Sequence, residues 1–145
     1  MSQQSAYPLY IDGQWIDGVD QIENRSPSDT SDLIGVYAQA STEQVKDAIA
    51  AARRGGGEWA KSGLEQRYGV LMAVGDELMA RKAELGELLA REEGKTLAEA
   101  VGEVHRSAQF FHYYAAEVLR QIDERAESVR PGVEVEVRRE PVGVV

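Results

Sequence analysis

The spacing of apolar residues predicts short strands near the start of the chain. Tyr10-Ile11 and Trp15-Ile16 flank Asp12-Gly13, a dipeptide that strongly favours a two-residue β-hairpin turn. The polar stretch 24–32 is typical of a turn-rich loop, and the apolar run 33–38 predicts another short strand. We therefore expect a hairpin, a loop and a strand before the first helix.

Three helical segments are predicted next, because apolar residues recur there at helical spacing. Each begins with a serine or threonine followed three residues later by glutamine or glutamate, the pattern of a capping box. These pairs are Ser41/Gln44, Ser62/Glu65 and Thr96/Glu99. We expect the first helix to end at glycines 55–57 and the second at Gly94. The apolar stripes comprise Val45, Ala48, Ile49 and Ala52; Tyr68, Leu71, Met72, Gly75, Leu78 and Met79, extended by Leu85, Leu88 and Leu89; and Leu97, Val101, Val104, Ala108, Phe111, Ala115, Val118 and Ile122.

The last of these helices carries the longest stripe, and its spacings alternate between four and three residues. Such spacing suits either a coiled coil or a helix packed inside a globular fold. Phe110, Tyr113, Tyr114 and Leu119 widen the apolar surface beyond a coiled-coil seam. A helix buried among neighbours is therefore favoured, with a free coiled coil as the alternative.

The C-terminal region returns to a strand pattern. Residues 125–130 and 133–140 are expected to pair across Pro131-Gly132, with Val135 and Val137 on one face. Residues 141–145 form an apolar run typical of a strand buried on both faces. Because an unpaired apolar strand invites aggregation, this ending favours the opening of a longer protein over a whole one.

Composition narrows the functional classes. The 145-residue chain has a formal net charge of −9, which argues against nucleic-acid binding because a phosphate backbone requires a basic surface. It contains no cysteine, so a disulfide-stapled domain, a cysteine-ligated metal site and a thiol nucleophile are excluded within these residues. Neither a signal peptide nor a membrane-spanning run is visible in the sequence, so a cytoplasmic location is the default expectation.

Two glycine-containing patterns resemble anion sites. Gly94-Lys95-Thr96 resembles the end of a phosphate-binding loop, but Leu89 stands where that loop needs a glycine, so a helix stop and a threonine cap are favoured. The stretch 53–57, Arg-Arg-Gly-Gly-Gly, could cradle an anion, although a helix end is the simpler interpretation.

Two further residue pairs do not match the spacing of a metal site or of a catalytic carboxylate pair. His105 and His112 are seven residues apart, whereas a two-histidine metal site on a helix normally uses a spacing of four. The adjacent Glu92 and Glu93 diverge on a helix, unlike a catalytic carboxylate pair. The residues alone therefore predict an α+β unit with no visible catalytic constellation and no metal site.

The order and spacing of several blocks resemble the start of the NAD(P)-dependent aldehyde dehydrogenase superfamily. The resemblance covers essentially the whole chain, which makes it specific. The blocks are LYIDGQWIDG, NRSPSDTSDLIG, STEQVKDAIAAARRGGGEWAKSGLEQR, EEGKTLAEAVGEV, HYYAAE and RREPVGVV. SPSDTSDLIG looks most like the branch that acts on 2-oxoglutarate semialdehyde (2,5-dioxopentanoate) or succinate semialdehyde.

The resemblance implies an α/β fold, the aldehyde dehydrogenase fold. This chain would hold the N-terminal helical part of its Rossmann-like cofactor domain and a β-hairpin oligomerisation arm. Residues 1–121 correspond to the cofactor-domain part, 122–140 to the arm that adds strands to a partner subunit, and 141–145 to the start of the first cofactor-domain strand. The helices are expected to pack against the cofactor-binding sheet, and the protein to form a homodimer or homotetramer.

The resemblance also implies the activity of the parent enzyme. Aldehyde dehydrogenases oxidise an aldehyde with NAD or NADP through a cysteine thiohemiacetal and an acyl-enzyme. Their catalytic and cofactor-binding residues lie beyond the matched segment, so residues 1–145 alone are expected to be inactive and not to bind the cofactor, and the choice between NAD and NADP stays open. A stand-alone helical self-association module derived from the same family is the alternative.

One residue of the segment is expected to contact substrate. In relatives, the helix bearing the Tyr-Tyr-Ala element lines the mouth of the substrate tunnel. Arg106 corresponds there to a position that is apolar in enzymes of uncharged aldehydes, so the resemblance implies that it binds the distal carboxylate of a semialdehyde. The alternative is that Arg106 is solvated or paired with Glu103 or Glu99.

Overall fold

The computed structural model describes residues 6–120 and 123–145. Its elements, in chain order, are β1 (Leu9–Ile11), β2 (Gln14–Ile16), β3 (Asp20–Arg25), β4 (Leu33–Gln39), α1 (Thr42–Lys61), α2 (Leu64–Ala80), α3 (Lys82–Glu93), α4 (Leu97–Leu119), β5 (Glu124–Glu127) and β6 (Glu134–Val137). The strands form three antiparallel pairs, β1–β2, β3–β4 and β5–β6. No helix in the two described ranges is both long and apolar enough to cross a membrane.

The first hairpin confirms the prediction from Asp12-Gly13. Tyr10 pairs with Trp15 across the two strands, and their rings lie 4.7 Å apart between centroids. Asp12 and Gly13 have φ values of 54° and 78°, the left-handed pair that a tight turn of the right twist requires. The turn dipeptide therefore sets the register of β1 and β2.

The second pair differs from the sequence prediction. β4 confirms the strand predicted at 33–38, but β3 was not predicted, and Asn24 and Arg25 lie in it rather than in a loop. The reason is composition, because Ile22 is the only apolar residue of β3 and the strand therefore lacks an alternating pattern. Its conformation depends on backbone hydrogen bonds to β4.

Two of the three predicted helix starts are confirmed. The side chains of Ser41 and Thr96 both accept a hydrogen bond in a complete capping box. The prediction at Ser62 is wrong, because that residue ends α1 and donates its hydroxyl proton to the Trp59 carbonyl at 2.6 Å. The N-cap of α2 is Gly63, which has no side chain with which to cap.

Helix α1 continues through the glycines that were predicted to end it. Gly55, Gly56 and Gly57 lie within the helix, and none adopts the positive φ of a glycine helix stop. Each costs about 1 kcal/mol of helix stability relative to alanine. The helix also buries none of its residues, and Val45, Ile49 and Trp59 on it keep 48%, 45% and 41% of their surface exposed.

The second predicted helix is two helices. Arg81, with φ −101° and ψ 14°, ends α2 and begins α3, and its side chain forms ion pairs with Glu77 and Glu84. These carboxylates, Glu84 above all, raise the pKa of Arg81. The break explains four helices where three were predicted.

The core lies where α2 and α3 pack against α4. The buried apolar residues are Ala100, Val104, Ala108 and Ala115, all on α4. Two buried glycines, Gly75 on α2 and Gly86 on α3, allow the helices to approach closely. The prediction that this helix is buried among neighbours is confirmed for one of its faces.

The last hairpin also agrees with its predicted pairing. β5 and β6 place Ala126 opposite Val135, and Gly132 in the turn has a φ of 76°. Val135 and Val137 keep 44% and 47% of their surface exposed. The predicted arm begins at Ile122 and the preceding segment ends at residue 121, and both positions lie outside the described residues.

Residues 141–145, predicted as the start of a strand, form no strand in the described structure. Val142 is 96% exposed and Val145 fully exposed. The physical reason is that a strand needs a neighbour to accept and donate its backbone hydrogen bonds, and none lies beside these residues in the described structure. Their assignment to a cofactor domain stays a prediction.

Candidate substrate-contact site on helix α4

Helix α4 presents two different faces. One packs on α2 and α3 through its buried alanines, and the other carries the exposed Arg106, Gln109, Phe110 and Tyr113. The Thr96 hydroxyl and backbone N–H both bind the Glu99 carboxylate and keep the pKa of Glu99 below its usual value. The capped and packed helix thus holds the predicted Arg106 on its open face.

Two neighbours orient the Arg106 guanidinium. Its Nη1 donates to Gln109 Oε1 at 3.1 Å, and its Cζ lies 5.0 Å from the centre of the Phe110 ring, a cation–π distance. Arginine has five N–H donors in a planar fork. With one donated to Gln109 in the described structure, an edge of the guanidinium is available to a ligand.

The acidic residues nearest to Arg106 in sequence bind other partners. Glu103 binds Lys95 at 2.6 Å, and Lys95 also contacts Glu93. Hydrogen bonds from these two carboxylates, Glu103 first, raise the pKa of Lys95. Since Glu99 is held in the capping box, Arg106 has no acidic partner among the residues that the structure describes.

Aromatic side chains continue the surface beyond Arg106. Phe110 is 52% exposed, and Tyr113 and Tyr114 are each 58% exposed. The two tyrosine rings meet edge to face, with centroids 5.2 Å apart. A cation bordered by exposed rings can bind a ligand that combines a carboxylate with a short carbon chain, and this contact is one of binding rather than bond cleavage.

Sequence reasoning proposed Arg106 but not the residues that orient it. Gln109 and Phe110 follow it by three and four positions, the spacings at which helical side chains meet. That spacing was the available signal for both contacts.

The other motifs serve structural roles. Gly94 has a φ of 72° and ends α3, and Thr96 begins α4, which confirms the helix stop and cap favoured for Gly94-Lys95-Thr96. The anion cradle considered at 53–57 is not formed, because those glycines are inside α1 and their amides belong to the helix. Arg54 instead binds Asp12 at 2.8 Å and ties α1 to the first hairpin.

The histidines and paired glutamates have separate partners. His112 Nε2 lies 2.9 Å from Asp76 Oδ1, and its ring fills the space that Gly75 leaves open. Glu92 accepts from Asn24 at 2.9 Å, whereas Glu93 contacts Lys95, so these two carboxylates diverge as predicted. Within residues 6–120 and 123–145, no cluster of three metal-ligating side chains occurs.

A network missed by the sequence analysis fixes the loop between β3 and β4 to the α3–α4 junction. Arg91 donates two hydrogen bonds to the Asp32 carboxylate, at 2.8 and 2.7 Å. Ser28 donates to the Gly94 carbonyl at 3.3 Å. Since 59 residues separate Asp32 from Arg91, no local pattern reveals the pair.

This network predicts a loss of stability in acid. The Arg91 hydrogen bond lowers the folded-state pKa of Asp32 below its ordinary value of 3.8. The stabilisation is therefore present above that value and is lost as pH falls through the lower folded-state pKa. We expect Asp32→Asn to make unfolding midpoints depend less steeply on pH below about 4, measured by urea denaturation across an acid series.

A second variant in the same acid series checks the assignment to Arg91. Arg91→Met removes the cause of the shift and should flatten the curve to a similar degree. The flattening is partial, because the folded-state pKa values of Asp29, Glu84 and Glu99 are also lowered and these carboxylates remain. An Asp32→Asn variant with the full acid dependence of the parent would contradict the assignment.

Comparisons with known proteins relate the chain to longer enzymes. A family model described as the aldehyde dehydrogenase family matches residues 15–145. The chain is 31% identical over 137 residues to the alpha-ketoglutarate semialdehyde dehydrogenase of Haloferax volcanii, covering 93% of this chain and 28% of that protein. It is 36% identical over 137 residues to the mitochondrial succinate-semialdehyde dehydrogenase of Arabidopsis thaliana, covering 93% of this chain and 26% of that protein.

The fold has similar solved structures. The NAD-dependent aldehyde dehydrogenase from Sinorhizobium meliloti superposes with a TM-score of 0.78 at 27% identity, over 88% of this chain and 26% of that one. The chain thus spans less than a third of the length of the proteins it matches. Its described elements are similar to an N-terminal part of their fold.

Proposed function

The chain belongs to the aldehyde dehydrogenase family, and we propose that it supplies the N-terminal portion of an NAD(P)-dependent enzyme that oxidises a carboxylated semialdehyde to the acid. That the substrate is an aldehyde is inferred from the family. The carboxylated substrate is supported by one observation above all, the guanidinium of Arg106 that is oriented by Gln109 and Phe110 and has no acidic partner among the described residues.

The chemistry of the site favours a carboxylate as its ligand. A planar guanidinium binds a carboxylate through two parallel hydrogen bonds, which gives direction as well as energy. Phe110 holds the cation from one side and leaves its edge open. Two relatives are named for substrates of this kind, alpha-ketoglutarate semialdehyde and succinate semialdehyde. 2-Oxoglutarate semialdehyde is the specific substrate that we propose.

The reacting groups are assigned to the rest of the enzyme. These residues contain no cysteine that could attack an aldehyde. They also do not fit the cofactor: Lys95 is bound to two glutamates, and glycines 55–57 are enclosed in a helix, so neither stretch offers a nucleotide phosphate a loop of free amides. We therefore assign cofactor binding to other parts of the enzyme and propose that residues 1–145 are inactive alone.

The β5–β6 hairpin is proposed to belong to an oligomerisation arm, residues 122–140. Val133, Val135 and Val137 alternate with charged residues and remain 44–47% exposed. An exposed two-stranded ribbon has free edges that can pair with strands of another subunit. A homodimer and a homotetramer both accommodate this role.

A second candidate function is a stand-alone self-association module. It is favoured by α1, which buries none of its residues, together with the exposed valines of the hairpin. In that case the exposed faces would be covered by another copy of the same chain.

The decisive experiment is to express the complete reading frame that contains these residues. We expect the product to form NAD(P)H with 2-oxoglutarate semialdehyde faster than with a neutral aldehyde of similar length, and the 145-residue chain to form none. A product that prefers the neutral aldehyde would overturn the carboxylate assignment. A reading frame that stops after residue 145 and gives a folded, self-associating product would favour the module.

A further inference from the structure

Arg67, in the first turn of α2, is the one residue of the described structure with an enclosed side-chain nitrogen or oxygen that has no hydrogen-bond partner. The atom is its Nε. The side chain borders two clefts of about 770 and 810 Å³, and both clefts also include Trp59. Arg67 thus lies in the wall between two concave surfaces.

An enclosed guanidinium nitrogen without an acceptor is unfavourable. Arginine keeps its charge at any ordinary pH, so it cannot escape the cost of burial by losing a proton. An unsatisfied donor retains its full desolvation penalty, whereas the same donor bonded to a carboxylate becomes a strong, charge-assisted interaction. The arrangement therefore calls for an anionic oxygen.

The neighbouring acids do not supply one. Glu117 and Asp123 line the second cleft with Arg67, but Glu117 binds Arg120 at 2.7 Å and Asp123 accepts from the Arg139 N–H at 3.2 Å. Arg53, in the first cleft, is a second cation without an acidic partner in the described ranges. Within the described residues, neither of these acids is bonded to the Arg67 side chain.

The surface around Arg67 in the first cleft is apolar. Ile49 and Trp59 of α1 are 45% and 41% exposed, and Pro141 and Val144 also line this cleft. A polypeptide segment matches this combination better than a small anion does, because it can cover the apolar walls while it presents one carboxylate.

We propose that Arg67 anchors the part of the enzyme that follows residue 145, through a carboxylate side chain of that part, on the cleft between α1 and α2. This inference rests on the proposed function. The relatives are more than three times longer than the matched segment, so an enzyme of that length has further chain with which to cover this cleft.

The test compares Arg67→Met with Arg53→Met in the complete gene product. Both variants remove one positive charge from the same cleft, but only Arg67 has the enclosed nitrogen. We expect Arg67→Met to lower the Tm of the complete enzyme by roughly 2–4 °C or more, and Arg53→Met to change it by less than about 1 °C.

The loss of Tm should disappear in the 145-residue chain. There, Arg67→Met replaces an unsatisfied donor by an apolar side chain of similar length, so Tm should stay constant or rise. Equal losses in both proteins would overturn the inference, as would no loss in the complete enzyme or a gene product of these residues alone. Because the readout is thermal, an enzyme that fails to oxidise semialdehydes would refute the proposed function without affecting this result.

Discussion

Replacing Arg106 with methionine is expected to lower kcat/KM of the complete enzyme for a carboxylated semialdehyde by roughly 10- to 150-fold. The loss corresponds to a charge-assisted hydrogen bond of about 1.5–3 kcal/mol that only the carboxylated substrate makes. The value for a neutral aldehyde of similar length should change little, because methionine preserves most of the side-chain volume. Steady-state kinetics with the two aldehydes measure the ratio directly.

Two further variants make this result specific. Lys82→Met removes the same charge from the exposed start of α3 and should leave the preference unaltered. Phe110→Leu removes the ring that holds the guanidinium and should reduce the preference by less than Arg106→Met does. If Arg106→Met left the ratio between the two aldehydes unchanged, the carboxylate role would be wrong.

Replacing Gly86 with valine is expected to lower the free energy of unfolding by about 3 kcal/mol or more. A Cβ at this position would lie 2.5 Å from Val101 Cγ2 and 2.8 Å from Val101 Cα. The second atom belongs to the backbone of α4, so the collision is relieved only if α3 and α4 move apart. Chemical denaturation followed by circular dichroism measures the change.

Gly102 provides the matched control, because it lies on the exposed face of α4 and a Cβ added to it would have no neighbouring atom within 4 Å. Gly102→Val should leave stability nearly unchanged, since the helix propensities of glycine and valine differ by only about 0.4 kcal/mol. Gly86→Ala should lie between the parent and Gly86→Val, which keeps the comparison measurable if the valine variant does not fold. Similar stabilities for Gly86→Val and Gly102→Val would contradict the packing described for α3 and α4.

Local chemistry accounts for the elements that sequence alone could place. Asp12-Gly13 requires a particular turn, and Ser41 and Thr96 satisfy the first amides of their helices, so these signals depend on adjacent residues only. The prediction failed where distant or unusual contacts decide. Strand β3 exists because β4 pairs with it. Arg81 carries no glycine or proline signal for a helix end, and its ion pairs with Glu77 and Glu84 have the spacings that also occur in an unbroken helix.

The candidate site also has one part that the sequence predicts and one part that it does not. The position of Arg106 on an open helix face follows from the apolar stripe opposite it, which helical periodicity reveals. Periodicity does not show that the charge of Arg106 is free to bind a ligand. That depends on Glu103 forming an ion pair with Lys95 and on Glu99 forming a hydrogen bond with Thr96. Sequence spacing alone allowed Arg106 to pair with either glutamate.

The three glycines inside α1 couple the folding of that helix to whatever covers it. Together they remove roughly 3 kcal/mol of helix stability relative to alanines, and no buried residue of α1 offsets this loss within the described structure. Docking on its apolar face and formation of the helix are therefore linked equilibria, and each must favour the other by the same free energy. The helical population of α1 thus reports occupancy of the cleft beside it. An alanine at Gly55, which does not line that cleft as Gly56 and Gly57 do, would tighten docking without touching the docked partner.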